Sequence, residues 1–271
     1  MLVSFKYIHG DSLIHRLDVR TKLFMVFAYL VMALSLLDMR VLAILFVSSA
    51  MLWPLAKTPM KEVGKLLIPM LIFIAFFSFA TNAFYPGIAG KPYHIVYQWG
   101  WIKISLEALI YSATVALRYL AIFPAATVFI MTTHPTKMSV ALAKLKIPYK
   151  LAYVMNIALR YLPTLALDYE IIKNAQRARG FEMDRPQGGL VGRLKAALPV
   201  MIPMVMDSIN RAELIADAMD LRCFGVYKDR TWYHDLKFTK TDYIVCTILL
   251  IGVITCILLR LFVLKRLWVP V

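Results

Sequence analysis

The residues best placed to do chemistry are two arginines, Arg179 in Gln176-Arg177-Ala178-Arg179-Gly180-Phe181 and Arg222 in Asp220-Leu221-Arg222-Cys223-Phe224. Each closes a long amphipathic helical pattern, and each is followed by a small residue and then by phenylalanine. A guanidinium is a planar fork that makes bidentate bonds to carboxylates and keeps its charge at any ordinary pH. Near a helix C-terminus it gains only about 0.3–1 kcal/mol from the helix dipole, which would account for either arginine alone. The repeated context points instead to two exposed plugs that enter acidic grooves of a partner. The acidic residues suggest no catalysis: Asp168, Glu170, Asp217 and Asp220 fall on helix faces expected to be solvated, and no histidine or nucleophile is spaced to work with them. No glycine-rich phosphate loop is present, so the chain is expected to be non-catalytic and unable to hydrolyse ATP alone. Cys223, Cys246 and Cys256 have the spacing of neither a disulfide framework nor a metal site.

The elements that must position these arginines belong to a membrane protein. Of 271 residues 61% are hydrophobic and 17% charged, against about 45–50% and about 25% in soluble domains. The apolar runs approach the roughly 20 residues needed to cross a bilayer as helix, and their continuity excludes the alternating pattern of a barrel. The net charge of +15 fits cytoplasmic loops facing anionic lipid better than nucleic acid. Between His134 and Lys240 lie 17 of the 31 basic and 10 of the 16 acidic residues, which implies one large cytoplasmic segment.

The fold class expected is all-α and polytopic, with about five transmembrane helices and long amphipathic helices inserted before the last. The spans read as Leu23 to Leu37, Val41 to Ala56, Leu66 to Phe84, Ile104 to Thr133 with tilt or a local break near Pro124, and Tyr243 to Val263. The first two should form an antiparallel hairpin through Asp38-Met39-Arg40, and residues 85–103 an outer loop with interfacial Trp99 and Trp101. Three regions follow: a membrane domain over 1–133, a coupling domain over 134–240, and a final span with the C-terminus over 241–271. An odd span number sends the C-terminus outside, in mild conflict with Arg260, Lys265 and Arg266.

Within the charged segment, apolar residues recur every three or four positions from Pro148 to Arg179, stopped by Gly180, and again from Leu194 to Arg222, with Pro199 and Pro203 expected to bend the second helix. A short helix over Thr136 to Leu145 leads in. Arg177, Arg179, Arg193, Lys195, Arg211 and Arg222 keep both long helices out of the bilayer. In the fourth apolar run Glu107 and Arg118 share nearly one face, and Arg118 is expected chiefly as a polar anchor. Asp18 is read as the cap of the first helix.

Several ordered motifs then resemble one family. Ala175-Gln176-Arg177-Ala178-Arg179-Gly180, preceded by Ala158-Leu159-Arg160-Tyr161-Leu162-Pro163, Thr132-Thr133-His134-Pro135 and the opening Asp11 to Lys22, is similar to the transmembrane (T) component of energy-coupling factor transporters, the bacterial vitamin and metal importers. The resemblance implies a plasma-membrane scaffold with two partner ABC ATPases, non-identical if the departure of Leu221-Arg222-Cys223 from Ala-Arg-Gly matters, and one membrane-embedded S component that binds substrate. It implies ATPase coupling through Ala178, Arg179, Gly180, Leu221, Arg222 and Cys223, and leaves Arg118, Met201, Met204 and Met206 as candidates for the S-component interface. No cofactor is expected on this chain, ATP and Mg being used by the ATPases. A polytopic enzyme acting on lipid-linked substrates, or the permease of a conventional ABC importer, are the competing readings.

Overall fold

The computed structural model describes residues 10–36, 38–84, 95–99, 102–145, 147–181, 189–227, 236 and 238–262. They form α1 (Val19–Ser35), α2 (Met39–Ala50), α3 (Leu52–Ala56), α4 (Met60–Phe84), β1 (Ile95–Trp99), β2 (Ile102–Ser105), α5 (Leu106–Thr132), α6 (Pro135–Lys144), α7 (Tyr149–Ala178), α8 (Gly189–Leu221) and α9 (Lys240–Phe262). The chain divides into two compact units, one carrying α6, α7 and α8, the other the remaining elements. The all-α expectation holds, with one small addition. Part of the expected outer loop is an antiparallel ribbon in which Trp99 pairs with Ile102 and Gln98 with Lys103.

In the larger unit α5 packs against α1, α2, α3 and α4. Its buried Ala121, Ala125 and Val128 let neighbouring helices approach closely, as small residues do between membrane helices. Met25, Ala28, Met32, Leu42, Leu45, Trp53, Val63, Met131 and Leu249 complete one continuous core. The expected hairpin of the first two helices is present at the connection, but they touch each other little: α2 leans chiefly on α5, and α1 lies against both α9 and α5. α5 also continues as helix through Pro124, so no break occurs there. Met39–Ala56, Ser112–Thr132 and Lys240–Phe262 are long and apolar enough to cross a membrane. Outward-facing Ile68, Ile72, Phe73 and Phe76 of α4 and Ile244, Ile248 and Ile251 of α9 suit a hydrocarbon surround.

Helix ends within this unit are held by buried charge. The Lys22 ammonium, on a side chain almost wholly buried, donates to the carbonyl of Thr132 at the end of α5, at 2.9 Å. In return Arg118 of α5 donates through Nη2 to the carbonyl of Leu36 at the end of α1, also at 2.9 Å. Cations suit these positions because the final carbonyls lack intrahelical donors and carry the negative end of the dipole. At the other pole, the fully buried Asp242 carboxylate accepts from the backbone N–H of Asp18 at 2.9 Å and from that of Thr239 at 2.8 Å, so one side chain serves the starts of α1 and α9. Asp18 itself accepts from the N–H of Arg20, as its capping role requires. The Arg20 guanidinium, bonded back to Asp18, lies 3.9 Å over the Phe238 ring.

Asp242→Ala is expected to lower unfolding free energy by about 2–3 kcal/mol, the scale of hydrogen bonds to a buried charge. Lys65→Ala, which removes an exposed pair with Glu62, should lower it by less than about 1 kcal/mol. Denaturation of the detergent-purified variants measures both, and equal losses would remove the special role given to Asp242.

Candidate functional site: two arginine-capped helix ends

In the unit of α6, α7 and α8, both arginines occupy the same backbone position. Arg179 is the C-cap of α7; Gly180 follows with φ +85, its N–H donating to Arg177 O at 3.0 Å while Phe181 N–H donates to Gln176 O at 3.1 Å. Arg222 follows the last residue of α8; Cys223 has φ +54, its N–H donating to Asp220 O at 2.9 Å while Phe224 N–H donates to Met219 O at 3.0 Å. Each end is therefore a Schellman turn, with an arginine at the cap, a left-handed residue next, and phenylalanine after it. Leu221-Arg222-Cys223 departs from Ala178-Arg179-Gly180 in side chains and keeps its backbone.

All six residues are exposed, and neither guanidinium has a hydrogen bond or ion pair among the described residues. The surroundings of the two differ. Phe224 folds back onto the first turns of α7, its ring 4.6 Å from that of Tyr153 and 5.8 Å from that of Tyr149. Arg222 thus stands beside the start of α7, while Arg179 ends the same helix. α7 has 30 residues, about 45 Å at 1.5 Å per residue, so the arginines are widely separated. Farther along, Arg211 of α8 reaches Asp168 of α7 at 2.9 Å and Asp207 at 2.9 Å. Asp168 was expected on a solvated face; its carboxylate is instead largely buried in this inter-helix ion pair, because the antiparallel packing of α7 and α8 brings a cation over it. Glu170, Asp217 and Asp220 are exposed as expected. An open cleft of about 510 Å³ lies between the helices, with Arg222, Arg160, Tyr149 and Tyr153 among its walls.

A family model described as cobalt transport protein matches residues 10–233. The energy-coupling factor transporter transmembrane protein EcfT of Lactococcus lactis subsp. cremoris is 32% identical over 93% of this chain and 96% of its own length. This chain belongs to the EcfT family. The EcfT proteins of Ruminiclostridium cellulolyticum, 30% identical over 94% of this chain and 96% of their own length, and of Bacillus subtilis, 30% identical over 89% and 91%, match over nearly the same extent. As an EcfT-family member it is the transmembrane component of an energy-coupling factor transporter, and so one part of a larger complex.

The remaining sequence candidates are dispersed. Met201 and Met206 are exposed on α8 and Met204 is half-buried there. Arg118 belongs to the other unit, engaged with the end of α1. The side chains of Glu107 and Arg193 and the turn over 182–188 lie outside the described residues. The reading of residue types missed the left-handed Cys223, which nothing in Leu-Arg-Cys announces except its alignment with Ala-Arg-Gly. It also missed that Tyr149, Tyr153 and Arg160, spaced by four and seven residues on one side of the helix, line the cleft with Tyr161.

Cys223→Gly is expected to raise unfolding free energy by up to about 1 kcal/mol, since glycine adopts the left-handed region without steric penalty. Gly180→Val should lower it by about 1–2 kcal/mol. Opposite signs in denaturant unfolding bear out the shared turn; a loss on Cys223→Gly would contradict it.

Proposed function

We propose that this EcfT-family chain is the energy-coupling scaffold of an ATP-driven importer in the bacterial cell membrane, with its N-terminus and the unit of α6, α7 and α8 in the cytoplasm. Two ABC ATPases bind and hydrolyse ATP with Mg, and their motion enters through the helix ends at Arg179 and Arg222. A membrane-embedded S component carries the vitamin or other micronutrient, and the exposed apolar face of α8 around Met201, Met204 and Met206 offers it a repacking surface, a task thioether side chains suit.

The observation that carries this reading is the pair of matching turns, each presenting at the tip of a long helix an exposed guanidinium that has no counter-ion among the described residues. Such a group gains little on its own helix and much from a carboxylate in a partner's groove. The arginines lie a helix length apart, so they suit two separate partner chains rather than one. Arg118 is assigned to the internal scaffold, since its guanidinium is committed to Leu36.

The test is reversal of charge in the complete complex. Arg179→Glu together with Arg222→Glu is expected to abolish substrate uptake and to release ATPase chains during copurification, while the S component remains bound. Normal uptake with both ATPases retained would refute the coupling role.

A further inference from the structure

We propose that the cleft between α7 and α8 beside Arg222 is a socket for an acidic side chain of a partner ATPase, so that one arginine end receives its partner while the other is a bare tip. This rests on the coupling reading above and adds to it Arg160 and Tyr149 as partner-binding residues.

The cleft holds an excess of donors. Arg222 and Arg160 contribute guanidiniums with no hydrogen bond or ion pair among the described residues. The Tyr149 hydroxyl is buried with no hydrogen-bond partner among the described residues, an arrangement that costs free energy until an acceptor arrives. Arg211 is already neutralised by Asp168 and Asp207, so the uncompensated positive charge is that of Arg160 and Arg222. A carboxylate offers two oxygens to these donors, and bidentate contact with a guanidinium is its strongest neutral-pH pairing.

The rest of the cleft calls for an apolar body on the same ligand. Ile157, Ile215 and Met219 form its greasy walls, and Leu214 and Leu221 stand 71% and 85% exposed nearby. Tyrosine and arginine gathered in a pocket with apolar surroundings are the composition that dominates binding energy at protein interfaces. A volume of about 510 Å³ accommodates a few side chains, as expected for an acidic residue flanked by apolar ones. Arg179 is not among the residues lining this cleft. The two ATPases would therefore meet chemically different surfaces although the backbones beneath them match.

The experiment uses the full complex with both ATPases and the S component, reconstituted in phosphatidylglycerol nanodiscs. Arg160→Gln, an exposed position expected to leave thermal stability unchanged, should weaken retention of one ATPase by at least about tenfold, with Arg160→Lys recovering part of the loss. Photoreactive benzoylphenylalanine in place of Leu214 should crosslink to a segment of that ATPase containing Asp or Glu. Loss of ATPase on Arg222→Glu, with no effect of Arg160→Gln and no such crosslink, would overturn the socket and leave coupling intact. Normal uptake with both ATPases retained by the Arg179→Glu, Arg222→Glu protein would overturn the coupling reading itself. A crosslink to phosphatidylglycerol in place of the ATPase would overturn the socket in favour of an anionic lipid site.

Discussion

A helix end buried in protein leaves its last carbonyls without intrahelical donors, and an unpaired buried carbonyl costs free energy. The membrane unit resolves this with two cations that exchange places. Lys22, near the start of α1, serves the end of α5, and Arg118, within α5, serves the end of α1. The arrangement requires the two helices to run antiparallel in one register, since sliding either by a turn would strand both charges. With α1 and α5 fixed, the rest follows: α2, α3 and α4 pack on α5, and α9 packs on α1, where Gly252 faces Met32 closely enough that a Cβ would touch its sulfur at 3.4 Å.

The unit of α6, α7 and α8 obeys a different constraint. Its helices are amphipathic and charged, and the ends of α7 and α8 are exposed. Two sequences that look unlike at their tips converge on one turn because the Schellman geometry is dictated by backbone hydrogen bonds, with the left-handed position tolerating cysteine at a modest strain. What distinguishes the ends lies one residue later: Phe224 is pulled onto Tyr149 and Tyr153, and this draws Arg222 alongside a cleft.

Much of this was legible in the residues. Helix positions followed from apolar period, glycine stops and Asp18, because each is a local signal. The long helices end where Arg179 and Arg222 put them. The strand ribbon was missed although Ile95-Val96-Tyr97 and Ile102-Lys103-Ile104 flank Gly100 with β-forming residues, since an interfacial loop explained the same aromatics. Asp168, Lys22 and Arg118 could not be paired from sequence. Their partners are remote in the chain, and two of those partners are backbone carbonyls, which leave no trace in residue types. The Arg160 and Tyr161 pair was visible as a motif, but its face became meaningful only with α8 opposite.

One feature of α7 bears on how force could travel. Because Phe224 fastens the turn of Arg222 to the first turns of α7 and Arg179 completes that helix, the two guanidiniums stand at opposite ends of a single bar. A push at either end would load the bar along its length. Pro163 lies near its middle and leaves one rung of the hydrogen-bond ladder unmade, which makes that point the most compliant section of an otherwise stiff strut.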